Sequence, residues 1–201
     1  MSLLVGKAAP DFVAPAVLAD GSIDDNLSFS KAIKGKYALL FFYPLNFTFV
    51  CPTELIALDR RMDAFKKAKI EVYAASVDSK FSHLAWRNTE VNKGGIGPVQ
   101  YSLISDVKHN ISRLYGVEHP EAGVAYRGAF LIDQNGVVRS QIINDLPIGR
   151  NIDEILRTFD AIQFHAEHGE VCPAGWNKGS EGMKENQDSV SKYLEANFEQ
   201  L

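Results

Sequence analysis

Residues 36–54 read KYALLFFYPLNFTFVCPTE, and their change of character along the chain decides the class of fold. Lys36 to Tyr43 is apolar at nearly every position, the pattern of a strand buried on both faces. Pro44 ends it, because proline cannot donate to a ladder. Pro52 stands where a helix begins. Leu55, Leu58, Met62 and Phe65 then follow at three- and four-residue spacing, which predicts one face of a single helix. Lys66, Lys67 and Lys69 suit its C-terminal end, where the dipole favours cations. Between strand and helix lies a loop that ends on a cysteine, Cys51.

Working outward, Phe12 to Val17 and Ser22 to Ser28 are short alternating segments that read as an N-terminal hairpin. Ile70 to Val77 is a second strand, Phe81 to Val91 a helix, Ser102 to Ile104 a short strand and His109 to Tyr115 a short helix. Gly128 to Asp133 and Val137 to Ile143 flank Gln134-Asn135-Gly136, and Asn-Gly between apolar runs predicts a hairpin. Asn151 and Glu154 are spaced like a capping box. Ile152, Ile155, Phe159, Ile162 and Ala166 then make a helix face. From residue 170 the chain turns rich in Gly, Lys, Glu, Asn and Ser and reads as an arm. The expected organisation is a domain over residues 1–169 and a C-terminal arm over 170–201. This order predicts an α/β fold with a central mixed sheet flanked by helices. A strand, a cysteine and a helix, followed by a hairpin and a last helix, is the thioredoxin-like order.

The 201 residues are 46% hydrophobic and 23% charged, enough apolar material for one full core. The formal net charge of −4 gives no basic surface for nucleic acid. The segment Met1 to Lys7 is too short for a signal h-region, and no apolar run is long enough for a membrane span. A cytoplasmic protein acting on a small molecule or a protein partner, away from nucleic acid and membrane, is expected. The two cysteines, Cys51 and Cys172, do not make a disulfide scaffold, so any bond between them is more readily catalytic than structural.

Loops leaving the C-terminal ends of sheet strands are where α/β folds place their sites. Cys51 falls at the N-cap or in the first turn of its helix, where free N–H groups and the dipole favour an anion and therefore a thiolate. A thiol of ordinary pKa, about 8.5, is only about 3% ionised at pH 7. Full ionisation raises the reactive fraction about 30-fold, or about 2 kcal/mol, too little for an efficient enzyme. The remainder must come from groups that stabilise the transition state of attack. Thr48, three residues before Cys51, offers a hydroxyl, and an arginine from elsewhere in the chain is the natural second donor.

Pro44-x-x-x-Thr48-x-x-Cys51, within Phe47-Thr48-Phe49-Val50-Cys51-Pro52-Thr53-Glu54, resembles the motif of the typical two-cysteine peroxiredoxins, the thioredoxin peroxidase and alkyl hydroperoxide reductase C family. Asn144-Asp145-Leu146-Pro147-Ile148-Gly149-Arg150 and Gly169-Glu170-Val171-Cys172-Pro173-Ala174-Gly175-Trp176 resemble further segments of it. The resemblance implies a thiol-dependent peroxidase acting on hydrogen peroxide and alkyl hydroperoxides without a cofactor or metal. Cys51 would be the nucleophile and pass to a sulfenic acid. Thr48 would hydrogen-bond peroxide and thiolate, Pro44 would shield the pocket, and Arg127 would hold the reacting oxygens. Glu54 and Arg150 would orient Arg127. Cys172 would resolve the sulfenic acid of another subunit, and thioredoxin or a flavoprotein disulfide reductase would reduce the resulting intersubunit disulfide. At least a homodimer is required, and a decamer is the family's common assembly.

Position 46, usually Asp in this motif, is Asn here, removing a negative charge near the thiolate without expected loss of function. Gly94-Gly95-Ile96-Gly97 with Tyr193-Leu194 approximates the pair of elements that accompany overoxidation in the family, implying intermediate sensitivity. His165 and His168 share a helix with no further ligand cluster, so no metal site is expected. A thioredoxin-type oxidoreductase is disfavoured, because Cys51-Pro52-Thr53-Glu54 lacks the second thiol of Cys-x-x-Cys. A holdase or redox-relay role would be additional to peroxidase chemistry.

Overall fold

The computed structural model of the chain describes residues 3–200; Met1 and Ser2, at the start of the N-terminal segment read above, and Leu201 lie outside the described residues. The chain forms two compact units, Met1–Ile152 and Asp153–Leu201.

The first unit contains β1 (Val13–Val17), β2 (Ile23–Ser28), α1 (Phe29–Ala32), β3 (Tyr37–Phe42), α2 (Val50–Asp59), α3 (Met62–Lys67), β4 (Ile70–Ser76), α4 (Lys80–Asn88), β5 (Ser102–Ser105), α5 (Asn110–Leu114), β6 (Arg127–Ile132) and β7 (Val138–Asn144). Its sheet is mixed and seven-stranded, in the order β2-β1-β5-β4-β3-β6-β7. β3 sits inside it, parallel to β4 and antiparallel to β6. Every residue of β3 and of β6 is buried, as an apolar run without alternation requires. On one face Leu40, Phe42, Tyr73, Phe130 and Ile132 form the core with Phe12, Phe29 and Tyr115. Phe130 packs edge-on against Phe42 at 5.8 Å and against Tyr115 at 4.9 Å.

The expected single helix after Cys51 is broken into α2 and α3. At the break the Arg61 N–H bonds to the Leu58 carbonyl, a tightened turn. The Ala57 carbonyl, which a continuous helix would bond to that N–H, accepts the Arg61 guanidinium at 3.2 Å instead. Both pieces still bury their apolar residues, Leu55 and Leu58 on α2 and Met62 and Phe65 on α3.

Register carries the site-forming loops to one edge. Phe41 pairs with Ala129, so Arg127, which opens β6, lies where β3 gives way to the loop before Cys51. Arg127 in turn pairs with Asn144, the last residue of β7, which brings residues 145–150 to the same edge. Gly128 lets this crowding happen: a Cβ there would stand 2.9 Å from Val117 Cγ1.

In the second unit, α6 (Ile152–His168) opens at the boundary, and Ile155 and Phe159 are buried as read, whereas Ala166 is exposed. The arm is more ordered than its composition suggests. Val171 bridges Met183, and α7 (Gln187–Asn197) starts from Asn186, whose side chain accepts the Ser189 N–H.

Phe130→Ala removes the ring that joins β6 to Phe42 and Tyr115. We expect a stability loss of about 3–5 kcal/mol by urea denaturation; a loss below about 1 kcal/mol would contradict this packing.

Candidate active site

Cys51 is the second residue of α2 and is buried, with 1% exposure. Its place in the first turn sets the thiol among N–H groups without helical partners. Arg127 Nη1 donates to Cys51 Sγ at 3.5 Å and to Glu54 Oε2 at 2.7 Å. Arg127 Nε donates to the Leu146 carbonyl at 2.6 Å, so the guanidinium is held from two sides.

Glu54 is one turn beyond Cys51, on the same face of α2. Its carboxylate also accepts Arg150 Nε at 2.9 Å, Arg150 Nη2 at 3.0 Å and the Arg150 backbone N–H at 2.7 Å. Arg150 Nη1 donates to the Gly128 carbonyl at 2.7 Å, and its guanidinium lies over the Phe41 ring at 3.3 Å. Burial opposes the Glu54 charge, but the hydrogen bonds and charge of Arg150, with the charge of Arg127, more than offset it and hold the carboxyl below the usual range. Burial likewise lowers the Arg150 pKa, against the pull of Glu54. One carboxylate and two guanidiniums leave a net positive charge in a dry place, beside a group that becomes anionic when it ionises.

A cavity of about 410 Å³ opens onto the thiol, lined by Pro44, Thr48, Phe49, Cys51, Arg127 and Pro147 among others. Its walls are mostly apolar, which strengthens any polar contact made inside. Thr48 lines it, but its hydroxyl donates to the Leu45 carbonyl at 3.0 Å, so it presents its oxygen to the cavity as an acceptor. Asn46 bonds through its side chain to Tyr43, Ser82 and His83.

The structure therefore brings Pro44, Thr48, Cys51, Glu54, Arg127 and Arg150 to one site. In the second unit, Cys172 is partly buried, its Sγ 3.6 Å from the Ala161 carbonyl. Burial pushes its thiol up, with Arg157 pulling the other way. His165 and His168 direct Nδ1 to the Glu170 and Phe164 carbonyls. The Leu146 carbonyl and the Phe41 ring were not singled out from sequence. Leu146 sat inside a quoted motif, but nothing in a strand of apolar residues marks which ring will carry a guanidinium.

Glu54→Gln leaves two buried guanidiniums without their anion and should cost about 3–5 kcal/mol at pH 7. Because the folded pKa lies below the ordinary 4.5, the carboxylate's contribution is present above that value and lost as pH falls through the folded pKa. The gap in urea midpoint between wild type and variant should therefore narrow below pH 4.5; a gap constant with pH would remove Glu54 from this role.

Residues 5–141 match the AhpC/TSA family, and residues 161–196 match the C-terminal domain of 1-Cys peroxiredoxin. The chain is 52% identical over 195 residues to alkyl hydroperoxide reductase C of Helicobacter pylori, covering 97% of this chain and 98% of that protein. It is 51% identical over 190 residues to peroxiredoxin-1 of Gallus gallus, covering 94% of each. The reduced 2-Cys peroxiredoxin of Plasmodium vivax superposes with a TM-score of 0.92 at 48% identity, covering 96% of this chain and all of that one. With a buried thiol at a helix start under an arginine, and likeness over almost its whole length, this chain belongs to the AhpC/TSA family, among the two-cysteine peroxiredoxins.

Proposed function

We propose that this protein is a thiol-dependent peroxidase that reduces hydrogen peroxide and small alkyl hydroperoxides at Cys51. The observation that carries the reading is Arg127 Nη1 donating to Cys51 Sγ at 3.5 Å while Glu54 and Leu146 hold the same guanidinium. The Cys51 thiolate attacks the terminal peroxide oxygen. An S–O bond forms as the O–O bond breaks, the peroxide's terminal oxygen keeps its hydrogen in the sulfenic acid, and the alkoxide or hydroxide leaves and takes a proton from solvent. Charge develops on both oxygens during this step. A guanidinium already fixed in place stabilises it without reorganisation, and the Thr48 oxygen accepts a hydrogen bond from the peroxide O–H and so orients the substrate.

Cys51 is then a sulfenic acid. The Cys172 thiolate of the partner subunit attacks its sulfur and displaces hydroxide, which takes a proton from solvent to leave as water, giving a Cys51–Cys172 disulfide. A dithiol donor, thioredoxin or a flavoprotein disulfide reductase, returns both cysteines to thiols. Leu45, Phe47 and Phe49 are exposed on one loop, Phe49 by 92%, which supports assembly to a dimer and onward to a decamer. A modified Plasmodium yoelii Prx1a forms an artifactual octamer, a structural relative at 50% identity. We place the protein in the cytoplasm, where the disulfide would be transient and catalytic. A dithiol oxidoreductase would need a second thiol at position 54, and Glu54 there is occupied by two arginines.

Cys51→Ser should abolish thiol-dependent peroxide loss. Cys172→Ser should consume one equivalent of peroxide and then fail to recycle. Arg127→Gln should slow peroxide reduction by about 10²–10³-fold. On non-reducing gels one equivalent of peroxide should give a dimer band that needs both cysteines. Unchanged turnover in the Cys51 variant would overturn the assignment.

A further inference from the structure

The loop between β3 and α2 is held by a buried hydrogen-bond cluster separate from the arginines. Tyr43, Asn46 and His83 are its members, none more than 7% exposed. The Tyr43 hydroxyl donates to Asn46 Oδ1 at 2.8 Å and lies 3.2 Å from His83 Nδ1. Asn46 Nδ2 donates to Ser82 Oγ at 2.9 Å and to His83 Nδ1 at 3.2 Å. The Asn46 backbone N–H donates to Asp78 Oδ2 at 2.9 Å.

The directions of these bonds follow from one carbonyl. His83 Nε2 is 3.1 Å from the Ile104 carbonyl, which can only accept, so Nε2 carries the hydrogen. In the neutral ring Nδ1 is then an acceptor, and it faces the amide nitrogen of Asn46. The amide oxygen is left for the Tyr43 hydroxyl. Each donor of the Asn46 side chain has an acceptor, and its acceptor has a donor.

Asn46 lies between Pro44 and Thr48, which both line the cavity over Cys51. The Leu45 carbonyl accepts the Thr48 hydroxyl, and Thr48 lines the cavity over Cys51. Phe47 has φ of 53°, a left-handed conformation that a bulky residue adopts only when its surroundings impose it. Its ring rests against Trp86 at 5.8 Å.

We propose that Asn46 is a positioning residue for the peroxide pocket: beside the Asp78 carboxylate on its backbone N–H, its uncharged side chain latches the Thr48 loop to Tyr43, Ser82 and His83 through bonds that do not titrate across the neutral range. This rests on Cys51 being the peroxide-reactive thiol. A carboxylate in place of the amide would set an oxygen against the lone pair of His83 Nδ1. The latch would then close only with His83 protonated, and would titrate.

Burial, rather than the neighbouring charge, keeps the His83 ring neutral. Burial pushes its pKa down to about 4, against the pull of the Asp78 charge and the Ile104 carbonyl. Tyr43, raised well above its ordinary value mainly by burial and further by the Asp78 and Cys51 charges, against a hydrogen bond with Ser76, stays a neutral donor. On α4 itself, Lys80 pairs with Asp25, and Arg87 donates to the Ala19 carbonyl. The native latch is therefore intact above about pH 4. With Asn46→Asp the new anion would raise the His83 pKa. That latch is present below the raised value and lost as pH rises through it.

Nitrogen NMR of His83 and stopped-flow oxidation of Cys51 by hydrogen peroxide test the latch together. In the wild type His83 should keep its Nε2–H tautomer from about pH 5 to 9, with no matching limb in the rate profile. In Asn46→Asp, His83 should titrate in that range, and the rate should fall roughly tenfold as it deprotonates. Adding His83→Gln, which keeps a donor and an acceptor but cannot titrate, should remove that limb. Should Asn46→Asp not fold, Asn46→Ala should be slower at every pH with no new limb. Titration of His83 in the wild type, a rate profile in Asn46→Asp parallel to wild type, or wild-type rates in Asn46→Ala would each overturn the proposal. The His83 resonances report on the latch independently of peroxide chemistry. A wild type unreactive to peroxide with an unchanged His83 spectrum would overturn the reading of Cys51 alone.

Discussion

The Glu54 carboxylate is the constraint on which the rest of the site depends. It lies one turn beyond Cys51 and binds Arg127 and Arg150, with all three side chains nearly without solvent contact. Burying two guanidiniums is costly unless an anion accompanies them. One carboxylate satisfies part of that demand, and the leftover positive charge sits against Cys51 Sγ. The energetics of burial thus prepare a place for a second anion, whether thiolate or the oxygen that develops charge during attack. The helix start adds to the same field, and the apolar cavity keeps water from weakening it.

The two halves of the pocket are built differently. The cationic half is charged, multiply bonded and anchored on strands and on α2. The Thr48 half is a loop that carries a left-handed phenylalanine and is held by the neutral side chains of Tyr43, Asn46 and His83, with the Asp78 carboxylate on the Asn46 N–H. Charge suits the side that must attract an anion. Neutral side chains suit the side that must only stay in place, since a bond between uncharged groups responds less to the ionisation of a thiol nearby than an ion pair does.

Much of this was legible in the chain. The unbroken apolar run at 36–43 announced a doubly buried strand, and the hairpin at Asn135-Gly136 and the helix after Asn151 followed from local rules. The break between α2 and α3 was not legible. The apolar spacing continues smoothly across it, and nothing in that spacing marks where the Ala57 carbonyl takes the Arg61 guanidinium in place of the Arg61 N–H. The order in the arm was missed for a similar reason. Its composition is polar, and the bridge from Val171 to Met183 is a pairing between residues far apart in the chain. The bonding of the Asn46 amide to Tyr43, Ser82 and His83 was not legible either, because a motif records which residues occur and not which partners a side chain meets.

The sequence by itself determined the α/β class, the position of Cys51 at a helix start and the set of residues fit for thiol chemistry, since these depend on local periodicity, caps and residue type. Only the tertiary structure decided that Arg127, 76 residues from Cys51, would reach the sulfur, that Glu54 would be shared by two arginines, and that His83 would lock Asn46. The physical reason is that these contacts are set by strand register, which pairs Phe41 with Ala129 and Arg127 with Asn144. Register arises from packing between distant segments, and no local pattern in either segment contains it.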